Sequence, residues 1–253
     1  MQTITFIGNG NMALSIAKGL RESYKIEVVG RSFEKLEKFE KELGISVEKA
    51  LLDGFNIEQK KVLFCVKPSN VEEVASKFTG RARVIYSVLA GTTLKKLREH
   101  LNPYAIVRCM PNLAASVGKS MTTLTGDEIY KEEAKELLGT IGTTLWLGSE
   151  KELDIATALA GSGPAYLALI AEALADGAVK EGMKRADAMD VMRGLFDGFG
   201  KLIQDVHPAL LKDAVMSPGG TTATGYAALE DGGTRAACIH AIEKAHKRAK
   251  ELS

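Results

Sequence analysis

Cysteine is scarce in this chain. The three present, Cys65, Cys109 and Cys238, form no C-x-x-C pair, and Cys65 and Cys109 fall inside apolar, strand-like runs. A disulfide framework is not expected, which fits a reducing cytosol, and a buried free thiol behaves as a small hydrophobe. The four histidines (His100, His207, His240 and His246) are scattered, and the last two are six apart and do not share a helix face, so no metal site is expected. Excess charge of one sign is missing too. Lys plus Arg is 33 against 32 for Asp plus Glu, a net +1, which removes the electrostatic ground for a nucleic-acid or membrane-surface partner. Lys244, Lys247, Arg248 and Lys250 alternate with Glu243 and Glu251 and read as a solvated helix face. No uncharged apolar run reaches the roughly 18 residues that a membrane span needs. Residues 1–7 start a strand that runs straight into a glycine motif, so no signal peptide is expected. A cytoplasmic location is the expectation.

What is there is apolar content of 45% in 253 residues, enough for one large or two modest cores. Residues 1–150 alternate short β-type runs with amphipathic helical patterns. Strands are predicted at Thr3–Ile7, Ile26–Val29, Val62–Val66, Val84–Val88, Ala105–Met110, Met121–Thr125 and Thr144–Leu147. Several are continuous apolar runs, as in strands covered on both faces. Helices are predicted between them at Met12–Glu22, Phe33–Leu43, Asn70–Phe78, Leu94–Leu101 and Glu128–Ile141, with Ser32 as N-cap and Gly44 just past the end of the second. Such alternation implies a doubly wound, mostly parallel sheet.

From residue 151 no strand follows. Leu153–Leu159, Ala165–Glu181, Ala186–Gln204, Thr222–Leu229 and Arg235–Leu252 read as helices, with breaks at Gly161–Pro164, Gly182, His207-Pro208, Ser217–Gly220 and Gly232-Gly233. The helix Ala165–Glu181 carries only Glu172 and Asp176 as charges before Lys180. A helix apolar nearly all round must be covered on most sides, either by its own domain or, most simply, by a second subunit across a two-fold axis.

Four motifs carry chemistry. Gly8-Asn9-Gly10-Asn11-Met12-Ala13 follows the first strand and opens a helix. Gly8 allows the tight turn, Gly10 lets the backbone approach a pyrophosphate, and Ala13 allows close helix–strand packing; the diphosphate then rests on unpaired N–H groups of the helix start. At the end of the second strand, where an acidic residue would bind a ribose 2′-hydroxyl, stand Gly30, Arg31 and Ser32. Arg31 would attract a 2′-phosphate and Ser32 would hydrogen-bond it, which predicts NADPH over NADH, with NADH still possible. Later strand exits carry Val66-Lys67-Pro68, Ala90-Gly91 and Arg108–Asn112; Lys67 could reach a phosphate or ribose and Asn112 the nicotinamide amide, or each could be turn chemistry alone. Finally, Ser217-Pro218-Gly219-Gly220-Thr221-Thr222 precedes a helix, with Ser217 as a possible cap, Pro218 suited to an early helical position, and glycines and N–H groups that suit a carboxylate.

These residues resemble the pyrroline-5-carboxylate reductase family over essentially the whole chain. Asp213-Ala-Val-Met-Ser-Pro-Gly-Gly-Thr-Thr222, leading to Leu229–Gly233, resembles the family signature, and Gly161–Tyr166, Val66–Pro68 and Arg108–Asn112 match other family segments. The resemblance implies an α/β Rossmann-type domain over residues 1–150 that binds NADP, followed by an all-α dimerisation and substrate-binding domain over 151–253. It implies a homodimer, often assembled into a homodecamer, that reduces Δ1-pyrroline-5-carboxylate to L-proline with NADPH, the last step of proline biosynthesis. Thr222 would hydrogen-bond the ring nitrogen of this imino acid. Gly219, Gly220, Thr221 and Thr222 would hold its carboxylate through backbone N–H groups, and Val215 would line the pocket. Gly8, Gly10, Asn11, Met12, Arg31, Ser32, Val66, Lys67, Pro68, Ala90 and Asn112 would contact the dinucleotide. Asp205 stands where relatives carry Glu, which leaves its role open. Carbonyl-reducing relatives of this architecture place Lys at the last position of G-x-G-x-x-x-K; here that position is Leu167, which favours an imine, an electrophile that needs no strong general acid. Other cyclic imines and small hydroxy acids are the enzymatic alternatives, and a dinucleotide sensor the non-enzymatic one.

Overall fold

The computed structural model describes residues 1–252. They form two compact units, one of Met1–Pro164 together with the chain from Lys244 on, the other Ala165–Glu243.

The first unit is built on an eight-stranded sheet. Its strands are β1 (Thr3–Ile7), β2 (Lys25–Gly30), β3 (Glu48–Leu51), β5 (Lys61–Phe64), β7 (Val84–Ser87), β8 (Ile106–Met110), β9 (Ser120–Gly126) and β10 (Gly142–Trp146); β4 (Phe55–Asn56) and β6 (Phe78–Thr79) pair separately. The order is β10-β9-β8-β7-β5-β1-β2-β3, parallel throughout except that β9 runs antiparallel to β8. The order reverses beside β1, where open sheets of this kind bind ligands. Alternate residues feed two cores, one on each face. Phe6, Val28, Leu63, Tyr86 and Val107 pack on one side with α1 (Asn11–Leu20), α2 (Phe33–Leu43) and α5 (Lys131–Gly139). Val29, Val62, Phe64, Ile85 and Ile106 pack on the other with α3 (Val71–Ala75) and α4 (Leu94–Leu101).

The expected strand at Thr3–Ile7 and the expected helices at Phe33–Leu43 and Leu94–Leu101 have the predicted bounds. Gly44 ends α2 in the left-handed region at φ 78°, its N–H bonded to the Glu40 carbonyl. Strand β3 is not foreseen by the sequence pattern, because Glu48-Lys49-Ala50-Leu51 is an edge strand with no buried residue.

The second unit is helical. After α6 (Glu150–Ala156), which belongs to the first unit, come α7 (Gly163–Lys180), α8 (Arg185–Asp205), α9 (Pro208–Val215), α10 (Thr221–Asp231) and α11 (Thr234–Leu252), whose residues from Lys244 on are counted with the first unit. The expected break at His207-Pro208 stands, since α8 ends at Asp205 with Val206 extended, and a helix not foreseen follows it: Pro208 takes the first helical position of α9 and His207 Nδ1 accepts from the Ala209 N–H at 3.2 Å. The expected break at Gly161–Pro164 is an interruption of the α pattern rather than an end of the helix. The chain stays helical from Glu150 to Lys180 by widening to a π turn over Thr157–Gly161. Pro164 is the cause, since it has no N–H to give the Ala160 carbonyl four residues back.

Between Ala165 and Glu243 only two apolar side chains, Ala175 and Ala188, are buried, while Leu167, Leu169, Val191, Leu195, Leu202 and Ile239 all lie more than half exposed.

Candidate active site

Five of the expected cofactor residues line one cleft of about 260 Å³ in the first unit: Gly8, Gly10, Arg31, Val66 and Lys67, with Asn9, Gly30, Leu52, Cys65, Asn70 and Val74 among the other residues of the wall. Gly8 lies at φ 107°, and a Cβ there would stand 2.5 Å from the Cys65 carbonyl oxygen, so both the turn and the packing against the β5 exit demand glycine. Gly10 is different. A Cβ on it would meet nothing within 4 Å, so the glycine leaves open space at the start of α1. No side chain caps α1 at Gly10, and the first N–H groups of the helix remain available to an anion. Ala13 is fully buried against the sheet. Burial pushes the Cys65 thiol up to about 12, so it stands in this wall as a neutral, unreactive group.

Arg31 extends from the end of β2 with 59% of its side chain exposed. Ser32 occupies the N-cap position of α2, yet its hydroxyl makes no cap bond and remains free for a ligand. Lys67 precedes a short 3₁₀ turn whose first residue is Pro68. Asn11, Met12, Ser32, Pro68, Ala90 and Asn112 do not line the cleft; Met12 packs on the core and Ala90 is exposed just past β7.

Asn112 does structural work at the exit of β8. Its Oδ1 accepts from the Ala114 N–H at 3.1 Å, and its Nδ2 donates to the Ala160 carbonyl at 3.0 Å. That carbonyl is the one that Pro164 leaves without a helical donor. A ligand amide is left with one N–H and one lone pair of this side chain.

Arg108, two residues upstream of Met110, is fully buried. Its guanidinium donates to Glu150 Oε1 at 2.8 Å and to Asp154 Oδ1 at 2.9 Å, while its Nε finds no partner. Glu150 Oε1 also accepts from the Leu94 N–H at 2.7 Å, at the start of α4. These bonds fasten α6 to the sheet, and for that reason the compact division falls at Pro164 and not at residue 150, where the composition changes. Sequence reasoning passed over this group, although an arginine inside the apolar run Ile106–Met110 already demanded buried acids.

In the helical unit, the Gly220 N–H donates to the Ser217 carbonyl at 3.0 Å. This closes a four-residue turn with Pro218 second and Gly219 third at φ 71°, the arrangement of a type II turn. Pro218 therefore belongs to the turn and not to the helix, and Ser217 caps nothing. Helix α10 begins at Thr221 with Gly220 as N-cap and no side-chain cap bond. A Cβ on Gly220 would lie 2.5 Å from Ser217 Oγ. Thr221, Thr222, Gly219 and Val215 are all exposed, so Thr222 presents its hydroxyl beside uncapped N–H groups. Asp205 is the last residue of α8 and is exposed.

The far end of α10 is fastened by charge. Glu230 accepts from Arg235 Nε at 3.1 Å and from the Tyr226 hydroxyl at 2.6 Å. The Arg235 bonds, then the Tyr226 bond, hold this carboxyl at about 2, below the ordinary 4.5. The stabilisation is complete above about pH 4.5 and is lost as pH falls through about 2. Glu230→Gln is expected to melt at a lower temperature than the wild type at pH 7, with the two melting temperatures converging toward pH 2, as followed by circular dichroism.

Two sequence families match. Residues 150–252 match the model of pyrroline-5-carboxylate reductase dimerisation, and residues 3–91 that of the coenzyme F420-dependent NADP oxidoreductases. The pyrroline-5-carboxylate reductase of Glycine max is 37% identical over 99% of this chain and 96% of its own length. The chain belongs to the pyrroline-5-carboxylate reductase family. The reductase of Thermus thermophilus is 35% identical over 98% of both chains. Among solved structures, the enzyme from Streptococcus pyogenes superposes with a TM-score of 0.87 at 31% identity, covering 98% of each chain. The Plasmodium falciparum enzyme with NADP bound superposes at 0.81 and 25% identity over 99% of each.

Membership in this family accounts for the bare apolar surface of the helical unit. By length and composition alone, a stretch within Glu150–Lys180 could cross a membrane, but it carries Glu172 and Asp176 and falls inside the dimerisation match. The reductase is a homo-oligomer of at least two copies.

Proposed function

We propose that this reductase converts Δ1-pyrroline-5-carboxylate to L-proline with NADPH in the cytoplasm, as the last step of proline biosynthesis. The observation that carries the reading is the pair of uncapped helix starts, α1 behind Gly8 and Gly10 and α10 behind Gly219 and Gly220. Each offers free N–H groups to an anion, one to a diphosphate, the other to a carboxylate. The dinucleotide site comprises Gly8, Gly10, Asn11, Met12, Arg31, Ser32, Val66, Lys67, Pro68, Ala90 and Asn112, and the imino-acid site Val215, Gly219, Gly220, Thr221 and Thr222. Residues 1–150 bind NADP and 151–253 bind substrate and pair the subunits.

NADPH, when bound, supplies the hydride that reduces the C=N carbon. The chain's part is placement. The N–H groups of Gly219, Thr221 and Thr222 fix the substrate carboxylate, that of Gly220 being held by the Ser217 carbonyl, and Thr222 orients the ring nitrogen, which ends the reaction carrying one proton more than the neutral imine. An unperturbed hydroxyl is a poor acid, so Thr222 holds and relays a proton from water. Leu167, where carbonyl-reducing relatives carry lysine, offers no proton, and a protonated imine needs none. The open space at Gly10 and the free hydroxyl of Ser32 support the dinucleotide reading, and Arg31 supports the 2′-phosphate.

Loss of NADPH absorbance on adding pyrroline-5-carboxylate, repeated with NADH and with a six-membered imine acid, tests this reading; tight NADPH binding without turnover on any imine would replace it with that of a sensor. Arg31→Ala is expected to raise the KM for NADPH about tenfold, the loss of a charge-assisted pair, with that for NADH little changed. The dimer is the unit from which we propose that a decamer closes, and analytical ultracentrifugation distinguishes the two.

A further inference from the structure

The rim of the dinucleotide cleft carries a charge arrangement that the cofactor reading leaves unused. Asn70 and Val74 are part of the cleft wall, and Glu73, between them in sequence, reaches back to Arg31. Arg31 Nη1 lies 3.8 Å from Glu73 Oε1. The same oxygen is 3.5 Å from Lys77 Nζ, which in turn is 3.7 Å from Asp53 Oδ1. The four charges sum to zero. Both Arg31 and Glu73 are at least half exposed, so the pair adds little to the fold. Its effect falls instead on any anion arriving at Arg31.

We infer that Glu73 is a specificity-determining residue that competes with the 2′-phosphate for Arg31 and so lowers the preference for NADPH over NADH. The inference rests on the reading of this cleft as the NADPH site. A phosphomonoester brings close to two negative charges, and it takes the guanidinium only by displacing or sharing it with the Glu73 carboxylate. Lys77 makes the exchange feasible, because Glu73 keeps a cation when Arg31 turns to the phosphate. A 2′-hydroxyl carries no charge and leaves the Arg31–Glu73 pair as it is. Glu73 therefore acts against NADPH alone, and a reductase with both Arg31 and Glu73 accepts either nucleotide more evenly than one with Arg31 and a neutral neighbour.

The test is the dissociation constant of each cofactor for the whole enzyme, wild type, Glu73→Gln, Arg31→Ala and the double variant, by quenching of intrinsic fluorescence at low and high salt. Glu73→Gln is expected to tighten NADPH about fivefold, the upper end for an exposed pair, and to leave NADH and the melting temperature unchanged. The gain is expected to shrink at high salt and to vanish in the Arg31→Ala background, where there is no guanidinium to release. An equal gain for NADH, no gain for NADPH although Arg31→Ala weakens NADPH alone, or an undiminished gain without Arg31 would each overturn the role of Glu73. Equal weakening of both cofactors by Arg31→Ala alone would instead overturn the 2′-phosphate reading, so the two failures are separable.

Discussion

Replacing Thr222 by alanine is expected to lower kcat about 100-fold, the usual loss when one pre-placed hydrogen-bonding group leaves a reacting centre, while NADPH binds with unchanged affinity. Two structural facts sharpen the expectation. The hydroxyl of Thr222 takes no part in capping α10; the hydroxyl that bonds within this helix start is that of Thr224, to the Gly220 carbonyl at 3.2 Å. Alanine is also the better helix former, so the substitution costs the fold nothing. The glycine turn at Gly8–Gly10 is untouched. Steady-state turnover of pyrroline-5-carboxylate, with NADPH affinity measured separately, checks the expectation. A variant with wild-type kcat removes Thr222 from the chemistry, and a variant that loses NADPH binding assigns it to the wrong ligand.

The second large effect concerns stability. Arg108→Ala is expected to destabilise the first unit by about 3 kcal/mol, the loss found when one member of a buried ion pair is removed. The guanidinium is wholly enclosed, and without it Asp154, only 13% exposed, is left without its cation. Glu150 keeps the Leu94 N–H and is the less affected of the two carboxylates. Because the enzyme is oligomeric, the comparison of melting temperatures belongs at one protein concentration. Activity per folded molecule below the transition is expected to stay near that of the wild type, since Arg108 is fully buried and lines no part of the cleft. An unchanged melting temperature would mean that water replaces the guanidinium without cost.

The contrast between Thr222 and Arg108 shows what could be read in advance. The α/β half was legible because its strands are continuous apolar runs and its glycines sit at a strand-to-helix turn, which physics restricts to few uses. The gathering of Gly8, Gly10, Arg31, Val66 and Lys67 in one cleft follows from strand exits sharing one edge of a parallel sheet. Long-range pairing was not legible. Beside the nicotinamide contact expected of it, the Asn112 side chain is engaged by Ala114 and by the carbonyl that Pro164 orphans, 48 residues away in sequence, which no local residue announces. Glu73 gave no signal among the exposed acids of Val71–Ala75, since only folding brings it to Arg31. Helix α9 was missed because His207-Pro208 marks both a stop and a start, and local residues do not say which. The edge strand β3 was missed because a strand with no buried side chain leaves no periodic trace.

The near absence of an interior between Ala165 and Glu243, where two alanines are all that is enclosed, has a thermodynamic meaning. Such a segment gains little from its own interior to offset the conformational entropy of ordering its helices, so its stability is expected to rise with the logarithm of protein concentration. On the substrate reading proposed above, the turn that presents Thr222 is thus a product of assembly, put in place when one chain meets its twin.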